Sequence, residues 1–258
     1  MKKMALAGLL IVIIAITNYA NESSGIFSYR IGQIEVFMIV ESERDGNAGI
    51  LIEADRAVLE HYIPAQGFRH TTNAFLVKTP EQNILIDTGT GAGGVVINRI
   101  KSLGVEPENI DAVLLTHLHG DHFGSLQNNG TANFPNAKIY LSARELEHFT
   151  KTSPNQGAVA ALAPYLNVQS NTRVITFEPS QLNMRLTEIL PGISPIAAYG
   201  HTPGHTIYQI ESNGEKLLIA GDLLHVALVQ FPVPQISATF DMDANAAAST
   251  RIQVLNYA

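Results

Sequence analysis

The chain contains no cysteine in its 258 residues. That excludes a disulfide framework and a lipoprotein attachment thiol. Charge is also scarce, at 15% of residues, with a formal net charge of −7 and no Lys/Arg cluster beyond Lys2-Lys3. Nucleic acid needs a basic surface, so it is excluded as a partner, and an acidic surface gives no attraction to anionic lipid. Repeats, low-complexity tracts and Pro/Ser linkers are missing too, which leaves a single domain as the expected organisation. What is present suffices for a core, since hydrophobic residues make up 46% of the chain. The one long apolar run, Met4 to Ile16, has thirteen residues after Lys2-Lys3, short of the roughly twenty needed to cross a bilayer. It reads as a secretory leader over residues 1–20, cleaved after Ala20, with a mature chain over 21–258; the alternative is an uncleaved amino-terminal anchor. Exported yet free of disulfides, the protein is expected in a bacterial periplasm or outside the cell.

The densest chemistry lies in Thr116-His117-Leu118-His119-Gly120-Asp121-His122, where four candidate metal ligands fall within six positions. They follow Ala112-Val113-Leu114-Leu115, an apolar run that reads as a buried strand. If the chain stays extended, His117 and His119 share one side and one ion, because strand side chains alternate. Gly120 is expected to allow an unusual turn that brings Asp121 and His122 to a second ion. A lone histidine on an apolar strand is usually a hydrogen-bonded core residue. Three histidines and an aspartate this close would leave several buried polar groups unsatisfied without a cation.

Elsewhere the pattern predicts strands over Phe27 to Val40, broken at Gly32-Gln33, then a hairpin or loop over Glu41 to Gly49 and a helix over Ala54 to Tyr62. Ile63 to Thr72 reads as a surface loop, in which Tyr62, Phe68 and His70 either touch substrate or simply pack. Strands over Asn73 to Lys78 and Asn83 to Ile86 lead to Asp87, followed by a glycine-rich stretch without the Gly-Lys-Ser/Thr ending of a phosphate loop. Helices are predicted over Val95 to Leu103, from Phe123, from Ser142 with Glu145 in a capping box, and over Ala158 to Leu166. His148, without metal-type neighbours, reads as structural or solvent-facing. Strands are expected at Val174-Phe177, Met184-Leu190 and Ser194-Tyr199, then a hairpin of Ile207 to Glu211 with Lys216 to Ala220. The Thr-Pro-Gly between His201 and His205 makes a rigid loop. Asp222 ends an apolar strand, and a last helix is capped by Asp243 with Ile252 and Leu255 on one side.

His-x-His-x-Asp-His after a hydrophobic strand, with Leu85-Ile86-Asp87-Thr88-Gly89, Gly200-His201-Thr202-Pro203-Gly204-His205-Thr206 and Gly221-Asp222, resembles the metallo-beta-lactamase superfamily. Gly221-Asp222-Leu223-Leu224-His225 and Gln230-Phe231 look most like its methyl-parathion-hydrolase-like and lactonase-like branch. The resemblance implies an α/β fold, a four-layer αββα sandwich. It implies two divalent metal ions, zinc ahead of iron, manganese, cobalt or nickel, on His117, His119, Asp121, His122, His201 and a bridging Asp222. By the same likeness Asp87 and His205 support the ligands from behind, and His225, Phe68 and Phe134 line the substrate pocket. The family supplies one more histidine from further beyond the bridging aspartate than the 36 residues that follow Asp222 here. Either the carboxyl end is missing or His225 substitutes; the first is the reading adopted.

Two such cations about 3.5 to 4 Å apart would lower the pKa of a bridging water toward ~7 and make hydroxide the nucleophile. Asp121 would orient it and pass a proton to the leaving group. The expected function is therefore a metal-dependent hydrolase of an ester, lactone or phosphotriester, acting on a small molecule, as a monomer or with a second copy of the chain. The alternatives are an exported beta-lactamase and a non-catalytic metal-binding fragment.

Overall fold

The computed structural model describes residues 10–12, 25–91, 94–166 and 172–258. The expected leader lies outside the described residues except for β1 (Leu10–Val12). Two strands, β2 (Ile26–Ile31) and β3 (Ile34–Asp45), follow and are joined at Gly32. Next come α1 (Arg56–Tyr62), β4 (Arg69–Lys78), β5 (Asn83–Ile86), α2 (Val96–Ser102), β6 (Ala112–Leu114) and α3 (Gly120–Phe123). A short ribbon of β7 (Gln127–Asn128) and β8 (Thr131–Ala132) precedes β9 (Lys138–Ser142), α4 (Ala143–Glu147), α5 (Gln156–Leu166) and β10 (Val174–Phe177). The last part holds β11 (Ile193–Ala197), β12 (Thr206–Ser212), β13 (Glu215–Ile219), α6 (Ala227–Gln230) and α7 (Ala244–Tyr257). Asn213 and Gly214, both at positive φ, make the two-residue β12–β13 turn, as the right-handed twist of paired strands favours.

Seven strands form one sheet in the order β10-β9-β6-β5-β4-β3-β2, and four form another in the order β1-β13-β12-β11. Period-two alternation explains why the sheets stack. Leu85 and Val113 face Ile100, Leu162 and Tyr165 beneath α2 and α5, whereas their neighbours Ile84, Ile86 and Leu114 face Tyr208, Ile210 and Leu217 of the second sheet. On that sheet's far side Ile196, Ile207 and Leu218 meet Val254 of α7. A strand buried on both faces must be apolar throughout, as the central runs are. The layers are thus helix, sheet, sheet, helix.

Several local expectations need correction. The polar stretch from Glu41 and the stretch before Asn73 are not loops but the paired ends of β3 and β4, in register from Ser42↔Thr72 to Asp45↔Arg69. Cross-strand charge compensates for their polarity, since Arg69 pairs with both Glu43 and Asp45. No strand forms over Met184 to Leu190 beyond a single bridge from Leu190 to Ile193, and Met184 is exposed. The helix expected from Phe123 ends there instead, having begun at Gly120. On α7 the inward face carries Ala247, Arg251 and Val254, while Ile252 faces out.

Candidate metal centre

Adjacent parallel strands β5 and β6, in register at Ile86↔Leu114, deliver Asp87 and Thr116-His117 side by side at their carboxyl ends. The backbone N–H of Thr206 donates to the carbonyl of Thr116 at 2.9 Å and ties in the second sheet. Asp87 sits at φ 57°, a conformation that L-residues with a Cβ resist and that surrounding bonds must hold. Its Oδ1 accepts from the Thr116 N–H at 2.9 Å, and its Oδ2 accepts from the Thr116 hydroxyl and from His122 Nδ1, both at 2.8 Å.

His117, His119 and His201 converge. His201 Nε2 lies 3.2 Å from His117 Nε2 and 2.9 Å from His119 Nδ1, and the third side of the triangle is 3.1 Å. Three imidazole nitrogens bound to one tetrahedral zinc at 2.0–2.1 Å would lie roughly 3.3 Å apart, so the residues fit such an ion. The far ring nitrogens strengthen that conclusion. His117 Nδ1 lies 3.0 Å from the Thr116 hydroxyl, which donates onward to Asp87, and His201 Nδ1 lies 3.1 Å from Asp241 Oδ1. Those acceptors put the ring proton on Nδ1 and leave the Nε2 lone pair pointing inward, the tautomer a cation needs.

A second group adjoins the first. The first turn of α3 turns His122 inward, and its Nε2 stands 3.2 Å from Asp222 Oδ1 and 3.8 Å from Asp121 Oδ2. Asp222 faces both groups, because its Oδ2 is 3.5 Å from His201 Nε2 and 4.0 Å from His117 Nε2. His225 reaches the same oxygen at 3.4 Å, without a well-formed hydrogen bond on either ring nitrogen. His205 turns away: Nδ1 donates to the Ala198 carbonyl at 3.0 Å and Nε2 accepts the Asp222 N–H at 3.1 Å.

Electrostatics point the same way. Burial, reinforced by neighbouring imidazoles, holds His117 well below the usual imidazole range and takes His119 to about 4 and His205 to about 3. Burial would raise Asp222, but His122 outweighs it and keeps the carboxyl ionised. Burial opposes charge on His122 as well, yet Asp222 and Asp87 drive its pKa well up. The neutral imidazoles of His117 and His119 thus present lone pairs beside an ionised carboxylate, a donor set that a divalent cation can occupy.

Residues 67–257 match the family model described as the Metallo-beta-lactamase superfamily. The chain belongs to that superfamily. It is 27% identical over 167 residues to the probable metallo-hydrolase YflN of Bacillus subtilis (strain 168), a match covering 58% of this chain and 60% of that protein. It is 25% identical over 199 residues to an N-acyl homoserine lactonase of a Bacillus species, covering 65% of this chain and 72% of that one. A solved structure, described as the hydrolase AbOPH in the beta lactamase superfamily, superposes with a TM-score of 0.78 at 28% identity, over 90% of this chain and 85% of that one. The layered α/β fold expected from the resemblance is the superfamily's fold.

Within this metallo-beta-lactamase-type centre, a cavity of about 490 Å³ opens over Asp121, His122 and Asp222 and is walled by Phe68, His225, Leu228 and Phe231. Phe134 is not part of it. That ring is fully buried in the core beneath α5, with its N–H donating to the Tyr165 hydroxyl at 3.3 Å, because the strand-to-loop chain there runs under the helix layer. Gly120 also departs from expectation: it has no positive φ and no crowding where a Cβ would lie, so an ordinary helical turn places Asp121 and His122. At Gly204 the need is space, since a Cβ would lie 2.4 Å from the Glu145 nitrogen.

Three residues of the site went unsignalled by motif. Asp241 orients His201 and also accepts from Arg251 Nη2 at 3.3 Å and from the Ala238 N–H at 2.9 Å. Arg251 is fully buried on α7. Glu145, expected to cap a helix with Ser142, instead turns inward and is fully buried, and the Ser142 hydroxyl makes no capping bond.

Proposed function

We propose that this chain is a metal-dependent hydrolase that uses two divalent cations, zinc foremost, to cleave an ester, lactone or phosphotriester bond in a small molecule. The observation that carries this reading is the inward-facing set of lone pairs: three imidazole nitrogens within 3.2 Å of each other beside a carboxylate shared with a second group. Imidazole and carboxylate donors suit zinc and accept other first-row metals. Bound there, such cations would supply an acidified water and a polarised scissile oxygen. His117, His119 and His201 hold the first cation; Asp121 and His122 face the second, and Asp222 serves both. Asp87 keeps the His122 ring fixed from behind. The Asp121 carboxylate is 44% exposed, so it can take a proton from the attacking water and return it to the leaving oxygen.

Substrate charge follows from the walls. Arg69, the guanidinium lining the cavity, is already paired with Glu43 and Asp45. A substrate carboxylate, such as that of a beta-lactam, would find no free guanidinium partner in it, whereas Phe68, Leu228 and Phe231 suit a neutral molecule with an apolar arm. Similarity to an N-acyl homoserine lactonase and to AbOPH supports the same choice. The test is zinc-loaded protein assayed side by side with a lactone, an aryl phosphotriester and nitrocefin. Turnover of either neutral substrate above nitrocefin is expected. Preference for nitrocefin would transfer the reading to a beta-lactamase, and two bound cations without turnover of any of the three would defeat it.

A further inference from the structure

Glu145 lies in the first turn of α4, outside every motif that defines the centre, yet its carboxylate is spent wholly on the two ligand-bearing loops. Oε1 accepts the N–H of Leu118 at 2.8 Å, the residue between His117 and His119. Oε2 accepts the Thr202 hydroxyl and the Gly204 N–H, each at 2.8 Å, and both donors belong to the loop that starts at His201. All three partners are donors, so the site is matched to a carboxylate and to no neutral side chain of the same shape. The group is fully buried, as are Leu118 and Thr202. One rigid fork therefore spans the strand end that carries two ligands and the separate loop that carries the third.

We infer that Glu145 is a positioning residue for the first cation: by fixing Leu118 against Thr202 and Gly204, it sets the spacing of His117 and His119 relative to His201. This rests on the reading of that triangle as a cation site. A ligand set drawn from two loops on different sheets keeps its donors near 3 Å only if something ties the loops independently of the ion. Apart from Glu145, a direct tie between them is the Thr206 N–H to the Thr116 carbonyl at 2.9 Å, which holds the residue before His117 and the last residue of the other loop rather than Leu118 or Thr202. Glutamine at this position keeps the shape but must present an NH₂ to at least one N–H or O–H donor, so one arm of the fork is lost. Support of this kind from behind the ligands is typically worth 10–100-fold in metal affinity.

The experiment compares wild type, Glu145→Gln and Thr202→Val by chelator competition for zinc, and by the visible spectrum of the cobalt-substituted proteins. Thr202→Val removes one hydroxyl from the fork without changing side-chain volume, so it remains informative if Glu145→Gln folds poorly. Expected are a tenfold or greater loss of zinc affinity at one site in Glu145→Gln, a smaller loss in Thr202→Val, an altered ligand-field band for that site, and unchanged affinity at the other. Wild-type affinity and an unshifted cobalt spectrum in both variants would overturn the inference alone. A wild-type protein that binds no cation would instead overturn the reading of the centre itself.

Discussion

Replacing Arg251 by methionine keeps the apolar stem of the side chain and removes the guanidinium with its four hydrogen bonds. The guanidinium donates to the Leu223 carbonyl at 2.7 Å, to the Pro234 and Ile236 carbonyls at 2.9 and 2.8 Å, and to Asp241 Oδ2 at 3.3 Å. Burial lowers the arginine's own pKa and Asp241 opposes that shift, so this is a charge held in a dry site by its partners. Breaking a buried pair by removing one member costs about 3–5 kcal/mol. Asp241 retains His201 and the Ala238 N–H, and the Ile236 carbonyl keeps the Gln230 amide at 2.9 Å, which moderates the cost, but the Leu223 and Pro234 carbonyls are left unmatched at about 1–3 kcal/mol each. A net loss of about 3–5 kcal/mol is expected, a large share of the roughly 5–15 kcal/mol a domain has. Urea denaturation of the metal-free protein reads it as a lower midpoint. Because Leu223 follows Asp222 and Asp241 holds His201, zinc affinity should fall too. Loss of less than about 1 kcal/mol, with Asp241→Asn/Arg251→Met showing plain additivity, would refute the claim that these residues act as one network.

Other outcomes follow from the same geometry. Alanine at His117 together with Asp222 should abolish bound zinc and hydrolysis; retention of both, measured by elemental analysis and turnover, would remove the basis for the centre. The metal-free protein should lose stability as pH falls from about 6.5, the ordinary imidazole value, toward about 4 and 3, the values of His119 and His205. The unfolded chain binds those protons first, so this contribution is complete above the unfolded pKa and lost on the way down. His205→Gln should flatten that part of the pH profile of the urea midpoint, and a profile identical to wild type would show that His205 contributes nothing. Phe231→Ala should raise KM several-fold for substrates with a long acyl or aryl arm while leaving kcat nearly unchanged, since the ring lines the cavity away from the reacting group; equal effects on short substrates would count against an apolar-arm site.

How much of this was legible beforehand depends on the range of the interactions involved. The central strands could be read because residues buried on two faces must be apolar at every position, and Ala112-Val113-Leu114 is. The histidine cluster next to β6 could be read because residues two apart on an extended chain share one side, and His117 and His119 do converge. Where a residue's partner lies far along the chain, nothing local announces it. Arg69 looks like a loop residue until Glu43 and Asp45 are seen opposite it. Glu145 sits three residues after a serine and imitates a capping box, although its three donors lie 27, 57 and 59 residues away. Arg251 occupies what resembles a plain amphipathic stripe, and its acceptors come from Leu223 to Asp241. The sequence pattern therefore identifies which histidines and acids converge, while the residues that hold them in place become visible only once the loops are folded against each other. A substitution survey confined to the motif would accordingly miss Glu145, Asp241 and Arg251, the positions where conservative changes should weaken metal binding without removing a ligand.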